Sequence, residues 1–395
     1  MGVLERAEVA VIGGGVIGTS IAYHLARAGV AVTLLEWRSV ASGASGASAG
    51  GVRQQGRDPR ELPLAIAATA KWATLEEELE FDLDYRRQGH LTLIEREEQL
   101  PALAASVAAQ RAGGLDLELV LGDELRALAP AVAPHVYGGS YSRDDGHANP
   151  MLTALGFAAA ARRRGAVVRA GTAATGLAVT GGRVTGVRTT AGPVAADVTV
   201  LAAGAWSAAL ARTAGLELPL EPVGLQMMVT APGPHCLDQV LGCVGRRLSL
   251  KQLPSGGFLI GGGWPGDVLL ERGFGLPRAA SVAGSALDSG AIVPRAGAVG
   301  LERVWVGIEA LAADEVPILG PVDGLDGLVV AAGFSGHGFA LSPMVGQVIA
   351  ELIIEGAPSI PLDALHLARF SNAECGVRNA EWGRGGTHSA NPGPS

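Results

Sequence analysis

The chain is poor in cysteine, in aromatic residues and in charge. Its three cysteines, Cys236, Cys243 and Cys375, form no Cys-x-x-Cys pair. They are too few for a disulfide framework and wrongly spaced for a zinc site, so a reducing compartment is expected. Aromatic residues make up 4% of the sequence and charged residues 17%, and 30 Lys and Arg against 38 Asp and Glu leave a net charge of -8. Without a basic stripe or interleaved aromatics, these figures argue against a nucleic-acid partner. The one basic cluster, Arg162-Arg163-Arg164, ends an Ala-rich helical run, where cations suit the helix C-terminus. No cluster of His, Cys and carboxylates has metal-ligand spacing, and no Gly-x-Ser-x-Gly elbow is present, so neither a metal nor a serine nucleophile is expected. The N-terminal Met1-Gly2-Val3-Leu4-Glu5-Arg6 lacks the basic start of a signal peptide and the Ser or Thr of a myristoylation motif. The apolar stretch from Val9 to Leu35 is interrupted by His24, Arg27 and several glycines, so no membrane span and a cytoplasmic protein are expected.

Glycine, by contrast, is abundant. It supplies 58 of 395 residues, roughly double the ~7% of average chains. With no three-residue period, collagen is excluded. Most of these glycines fall inside apolar strand-like runs, which suggests that backbone approaches something large. At 395 residues the chain exceeds what one core usually serves, and two domains are expected.

The first run, Val9-Ala10-Val11-Ile12, leads into Gly13-Gly14-Gly15-Val16-Ile17-Gly18. A helical stretch follows to Ala28, and then Val30 to Leu35 and Glu36. This strand, glycine turn, helix and strand match the dinucleotide fingerprint in both spacing and context. Gly13 permits the tight turn, Gly15 brings backbone N–H groups to a pyrophosphate, and Gly18 lets helix pack on strand. The helix N-terminus, at Val16 and Ile17, supplies partial positive charge. Glu36 is placed to accept from ribose hydroxyls, and an acid there disfavours a 2′-phosphate. The fingerprint alone does not choose between NAD and FAD. The segment after it, Ser42 to Gly51 and then Val52-Arg53-Gln54-Gln55, reads either as a flexible linker or as small residues packed against a flat ring.

Further along, residues 60 to 80 read as helical with Trp72, Leu75 and Leu79 on one face, and 96 to 128 as Ala- and Leu-rich helices. Short β elements at Val167-Val168-Arg169, Gly176 to Val179 and Val184 to Arg188 form a meander. The strand Asp197 to Leu201 should then re-enter the first sheet. Residues 217 to 300 read as mostly antiparallel, and Val329 to Phe339 is again strand and glycine-rich turn. The expected fold is α/β, a discontinuous Rossmann-like FAD-binding domain joined to a substrate domain of mostly antiparallel sheet plus helices. The first domain takes 1–85, 145–216 and 301–370, the second takes 86–144 and 217–300, and 371–395 forms a flexible tail.

Four segments together resemble the FAD-dependent D-amino acid oxidase and sarcosine oxidase family: the fingerprint with Glu36, Ser45-Gly46 to Arg53, Leu201-Ala202-Ala203-Gly204, and Gly333-Phe334-Ser335-Gly336-His337-Gly338. The last, followed by Phe339, Pro343 and Gly346, is similar to the β-subunit type of heteromeric sarcosine oxidases and proline dehydrogenases. The resemblance implies non-covalent FAD on Gly13, Gly15, Val16, Ile17, Gly18, Glu36, Ser45, Gly46, Val168, Gly204, Gly333, Ser335, Gly336, His337 and Gly338. It implies oxidation of the C–N bond of a small secondary amine, or of an N-alkyl or cyclic amino acid, to an imine. A D-amino acid or glycine substrate, and a FAD-binding subunit of a heteromeric complex, are the alternatives. The electron acceptor is O2 or a partner redox protein, and both hetero- and homo-oligomers remain open.

Arg53 matches the place where sarcosine-type enzymes hold a carboxylate. The Lys that partners it there is Ala340 in this chain, and the strand Arg of D-amino acid oxidases is replaced near Glu309. Gly307 stands where monomeric sarcosine oxidases carry a flavin-bonding Cys. Their oxygen-activating Lys is missing from Phe258-Leu259-Ile260, which leaves Lys251, one strand earlier, as the candidate. Arg53, His337 and Lys251 are the expected catalytic groups.

Overall fold

The computed structural model describes residues 5–370; the expected tail at 371–395 lies outside them. Two sheets dominate. The first has the strand order Ile318–Pro321, Leu328–Ala332, Val194–Leu201, Glu5–Ile12, Val32–Leu35, Val167–Arg169. Its central pairings are parallel. Parallel strands are covered on both faces and therefore read as unbroken apolar runs, and both Val32–Leu35 and Leu328–Ala332 are buried throughout. On one face the helix Val16–Arg27 packs between the helices Pro150–Arg163 and Gly338–Glu355. On the other, Ala174–Thr180 and Arg183–Thr189 form the expected meander onto Val194–Leu201.

Helix Gly338–Glu355 is, among the described residues, the one helix long and apolar enough to cross a bilayer. Its first half is spent inside the molecule. Residues Phe339 to Gly346 are buried, Trp72 Nε1 donates to the Ala340 carbonyl at 2.8 Å, and Ser20 Oγ donates to the Ser342 carbonyl at 2.8 Å. Gly346 makes this approach feasible, since a Cβ there would stand 2.1 Å from Ser20 Oγ.

The second sheet has ten strands and is mostly antiparallel, with one parallel pairing between Val240–Cys243 and His90–Ile94. Three boundaries differ from expectation. Leu301–Ala312 pairs along its length with Leu220–Thr230, so 301–312 belongs to the second sheet and not to the 301–370 segment of the first domain. Its backbone groups find their strand partners there. Val167–Arg169 pairs in parallel with Val32–Leu35 instead of opening the meander, because it returns from helix Pro150–Arg163 as a crossover must. Within the helical 96–128 stretch, Glu118–Leu121 is a strand of the second sheet.

The register of the second sheet decides what faces the first domain. Directly opposed residues share a face, and faces alternate along each strand. Leu91, Met228, Leu250 and Ile260 sit in the domain's own core with Ile292, at the end of helix Ala279–Ile292. The opposite face carries His90, Lys251, Leu259, Met227, Trp305, Gly307 and Glu309. It meets the short helix Ala44–Ala47: Trp305 Nε1 donates to the Ala47 carbonyl at 2.9 Å, and a Cβ on Gly307 would lie 2.9 Å from that of Ala47.

Candidate active site and cofactor cleft

A cleft of about 400 Å³ runs from the glycine fingerprint to the seam between the two sheets. Gly13, Gly15, Val16, Ile17, Glu36, Ser45, Gly204, Gly333, Gly336 and Gly338, all expected from the sequence, line it. A slightly larger hollow of about 470 Å³, between Leu216–Pro219 and His366–Phe370, contains none of the expected groups.

At the fingerprint end, close packing of backbone on backbone excludes side chains. Gly13 has φ +114°, and a Cβ there would approach the Ala202 carbonyl oxygen to 2.3 Å; one on Gly18 would come within 1.9 Å of the Gly13 oxygen. The first contact seats the turn on the neighbouring strand and the second seats the helix on the turn. At the helix N-terminus Val16 N–H donates to Ser45 Oγ at 2.9 Å, which ties the Ser42–Gly51 segment to the fingerprint. The segment is therefore a wall of the cleft and no linker. Glu36 Oε2 accepts from Gly14 N–H at 2.7 Å and Oε1 from Arg38 N–H at 2.8 Å. Oε1 also accepts from Ser42 Oγ at 3.5 Å, whereas Oε2 retains a second lone pair, which suits a ribose hydroxyl.

Other expected contacts act at one remove. Gly18 is buried beneath the turn, and Gly46 lets the short helix close on the Ala41 carbonyl. Val168 pairs with Leu34 and its side chain packs into the helix-side core, while Ala173 and Ala174 line that end of the cleft instead. Ser335, at φ +51°, accepts from Ala312 N–H at 3.1 Å and donates to the Gly333 carbonyl at 3.2 Å, fixing the turn to the strand Leu301–Ala312. Trp37 and Trp206, with ring centroids 5.3 Å apart, also line the cleft and were not foreseen.

A buried polar cluster adjoins the far end. His337 Nδ1 lies 2.8 Å from Glu61 Oε1, and Glu61 is fully buried. Burial, aided by Arg57, pushes His337 down to about 4, so a neutral imidazole faces an ionised Glu61. Arg57 donates to the Arg53 carbonyl through Nε and Nη2. Burial lowers the pKa of the Arg53 guanidinium, against the opposing charges of Asp145 and Glu61. Among the described residues that guanidinium donates no hydrogen bond. Asp145, raised to about 6 by burial, accepts from Gln54 and Gln55 N–H, while Gln55 Nε2 lies 2.8 Å from His90 Nδ1. Lys251 is buried on the interdomain face, and burial pushes its amine down to about 7. Glu309 lines the cleft, raised to about 7 by burial against a hydrogen bond from Gly336 N–H.

Sequence reasoning missed Arg57, Glu61 and Asp145. Arg53, Arg57 and Glu61 do recur every fourth residue, but 53–61 is not helical, so the spacing gives no common face. Among the described residues no group of His, Cys, Asp and Glu could hold a metal.

A Rossmann-type sheet and a glycine-walled cleft against a second sheet define a dinucleotide-binding architecture. The chain belongs to the FAD dependent oxidoreductase (DAO) family, whose sequence pattern matches residues 8–352. It is 30% identical to a glycine oxidase of Geobacillus kaustophilus over 92% of this chain and 97% of that protein. It is also 30% identical to the sarcosine oxidase subunit beta of Rhizobium meliloti, over 92% and 88%. The crystal structure of L-proline dehydrogenase from P. horikoshii superposes with a TM-score of 0.86 at 27% identity, covering 93% of this chain and 99% of that one. The protein is an FAD-dependent oxidoreductase acting on CH–NH bonds.

Proposed function

We propose that the substrate is a small secondary amine bearing a carboxylate, an N-alkyl or cyclic amino acid of the sarcosine or proline kind, oxidised to its imine. One observation carries this reading. Arg53 is a half-buried cation with no hydrogen-bond acceptor of its own among the described residues, and a partly desolvated guanidinium is costly until a carboxylate takes its paired donors. Arg57, Glu61 and Asp145 hold it in place. Bound FAD supplies the two-electron acceptor for the C–H hydride. The chain's own part is to hold the carboxylate on Arg53, to exclude water with the Trp305–Glu309 face, and to present the N-terminus of helix Gly338–Glu355 to negative charge.

The cofactor is held non-covalently in this reading. Cys236 and Cys243 belong with the second domain's core and neither lines the cleft, while Cys375 lies outside the described residues; acid precipitation should release all the yellow colour into the supernatant. Anaerobic mixing with sarcosine, proline, glycine and D-alanine tests the substrate. Bleaching of the flavin by sarcosine or proline ahead of glycine and D-alanine is expected, and faster bleaching by D-alanine would reverse the assignment. Admission of air then distinguishes O2 from a partner redox protein as the acceptor.

A further inference from the structure

The strand Leu301–Ala312 brings one carboxylate to the end of the cleft that Gly333 and Gly336 line. Its alternation turns Trp305, Gly307 and Glu309 toward the first domain, and the contacts of Trp305 and Gly307 with Ala47 fix that direction. Glu309 lines the cleft itself. Its carboxylate receives the Gly336 N–H, and among the described residues no Lys, Arg or His pairs with it. A half-buried carboxylate in the cleft wall with one amide donor and no counter-cation is suited to meet a cation that arrives with the ligand.

What lies around it narrows the identity of that cation. The next residue of the turn is His337, which is bonded to Glu61 and adjoins Arg53. A site for an anion and a site for a cation thus flank one turn, the pattern of an α-amino acid zwitterion. We propose that Glu309 binds the substrate's ammonium group and takes its proton. This rests on the reading of Arg53 as the carboxylate site. The N–H bond breaks, the proton passes to a Glu309 oxygen, and the electron pair stays on nitrogen. When the carbon then gives up its hydride to the cofactor, that pair forms the C=N bond.

The charge environment is simple enough to make the proton transfer readable. Glu221 lies on the paired strand, His337 on the turn with Glu61 behind it, and Lys251 elsewhere on the same sheet face; Glu36 and Glu271 line other parts of the cleft. Helix Ala44–Ala47 and the turn Gly204–Trp206 contribute no ionisable group. Burial raises the Glu309 carboxyl to about 7, where a base works at neutral pH.

The FAD-loaded protein is to be compared with Glu309→Gln and Glu309→Asp. The limiting rate of anaerobic bleaching, with the amino acid that bleaches the wild type fastest, is followed from acid to alkaline pH. In the wild type it should rise to a plateau near neutrality. In Glu309→Gln the rise should move to the amine's own alkaline range, with a rate at neutral pH lower by on the order of 100-fold and convergence with the wild type at high pH. Glu309→Asp should restore the neutral plateau. A second measurement needs no variant: glycine betaine, a permanent cation with no N–H, should bind the wild type more tightly as pH rises through neutrality, while methylthioacetate, which has no nitrogen, should bind equally across that range. An unshifted pH profile in Glu309→Gln, or betaine affinity that is flat with pH, overturns the proposal alone. A wild type bleached by no amine removes the amine reading and this proposal with it.

Discussion

At the scale of single residues, one side chain and one missing side chain carry testable weight. Gly18→Ala would place a methyl 1.9 Å from a backbone oxygen that has no rotamer to change. The helix must then lift from the turn, at about 1–3 kcal/mol for an overpacked contact. The variant should purify with a reduced flavin-to-protein absorbance ratio, and a full complement of flavin would show that the close approach is dispensable. Arg53→Lys keeps the charge and loses the two-pronged geometry. Affinity for a substrate carboxylate, read from the concentration dependence of bleaching, should fall on the order of 10- to 100-fold, with a smaller change in the limiting rate. The Glu61 and His337 pair works differently. The ionised carboxylate fixes the imidazole as its Nδ1–H tautomer, so Glu61 positions a group beside Arg53 without facing the cleft.

At the scale of elements, the seam between the domains depends on the strand Leu301–Ala312. One end meets helix Ala44–Ala47 through Trp305, and the other is stitched to the turn before Gly338 through Ser335. Trp305→Phe keeps the ring and removes the bond to the Ala47 carbonyl, so it should cost about 1 kcal/mol in thermal unfolding and loosen flavin retention. An unchanged melting temperature and flavin content would show that the seam is held by packing alone. This strand is also where sequence and structure part. The fingerprint and the Gly333–Gly338 turn were legible because glycine spacing is a local signal with one geometric solution, whereas the Ser45 segment read also as a linker until the Val16 N–H bond to Ser45 Oγ tied it down. Sheet membership is not local: nothing within 301–312 says that its partner is 220–230, some eighty residues earlier. The burial of Lys251 was illegible for the same reason. The polar strand residues of Ser249–Gln252 read as surface until the opposite domain covers them.

At the scale of the whole molecule, the polar groups enclosed by folding set how stability responds to pH. His24, His147 and His337 are held by burial at about 3, about 3 and about 4, and His90 is held well below its usual range. Between pH 6.5 and 4, then, unfolding lets four histidines take up close to four protons that the folded chain refuses. Asp145 and Glu309 oppose this, because their raised values of about 6 and about 7 keep them protonated when folded and release close to two protons on unfolding. The balance favours uptake by about two protons, so stability should fall by about 3 kcal/mol for each pH unit lost in that window. Above neutrality Lys251 continues the trend, since its amine is neutral in the fold above about 7 yet protonated in the unfolded chain up to its ordinary value. The flavoprotein should therefore be most stable on the alkaline side. Denaturant titrations across pH measure the slope directly. His24, on helix Val16–Arg27 and absent from the cleft lining, offers the cleanest control: His24→Gln should lower the acid slope by about 1.4 kcal/mol per unit while leaving flavin content intact. A slope unchanged by that substitution would mean that His24 is protonated in the fold and that its burial is less complete than its surroundings indicate.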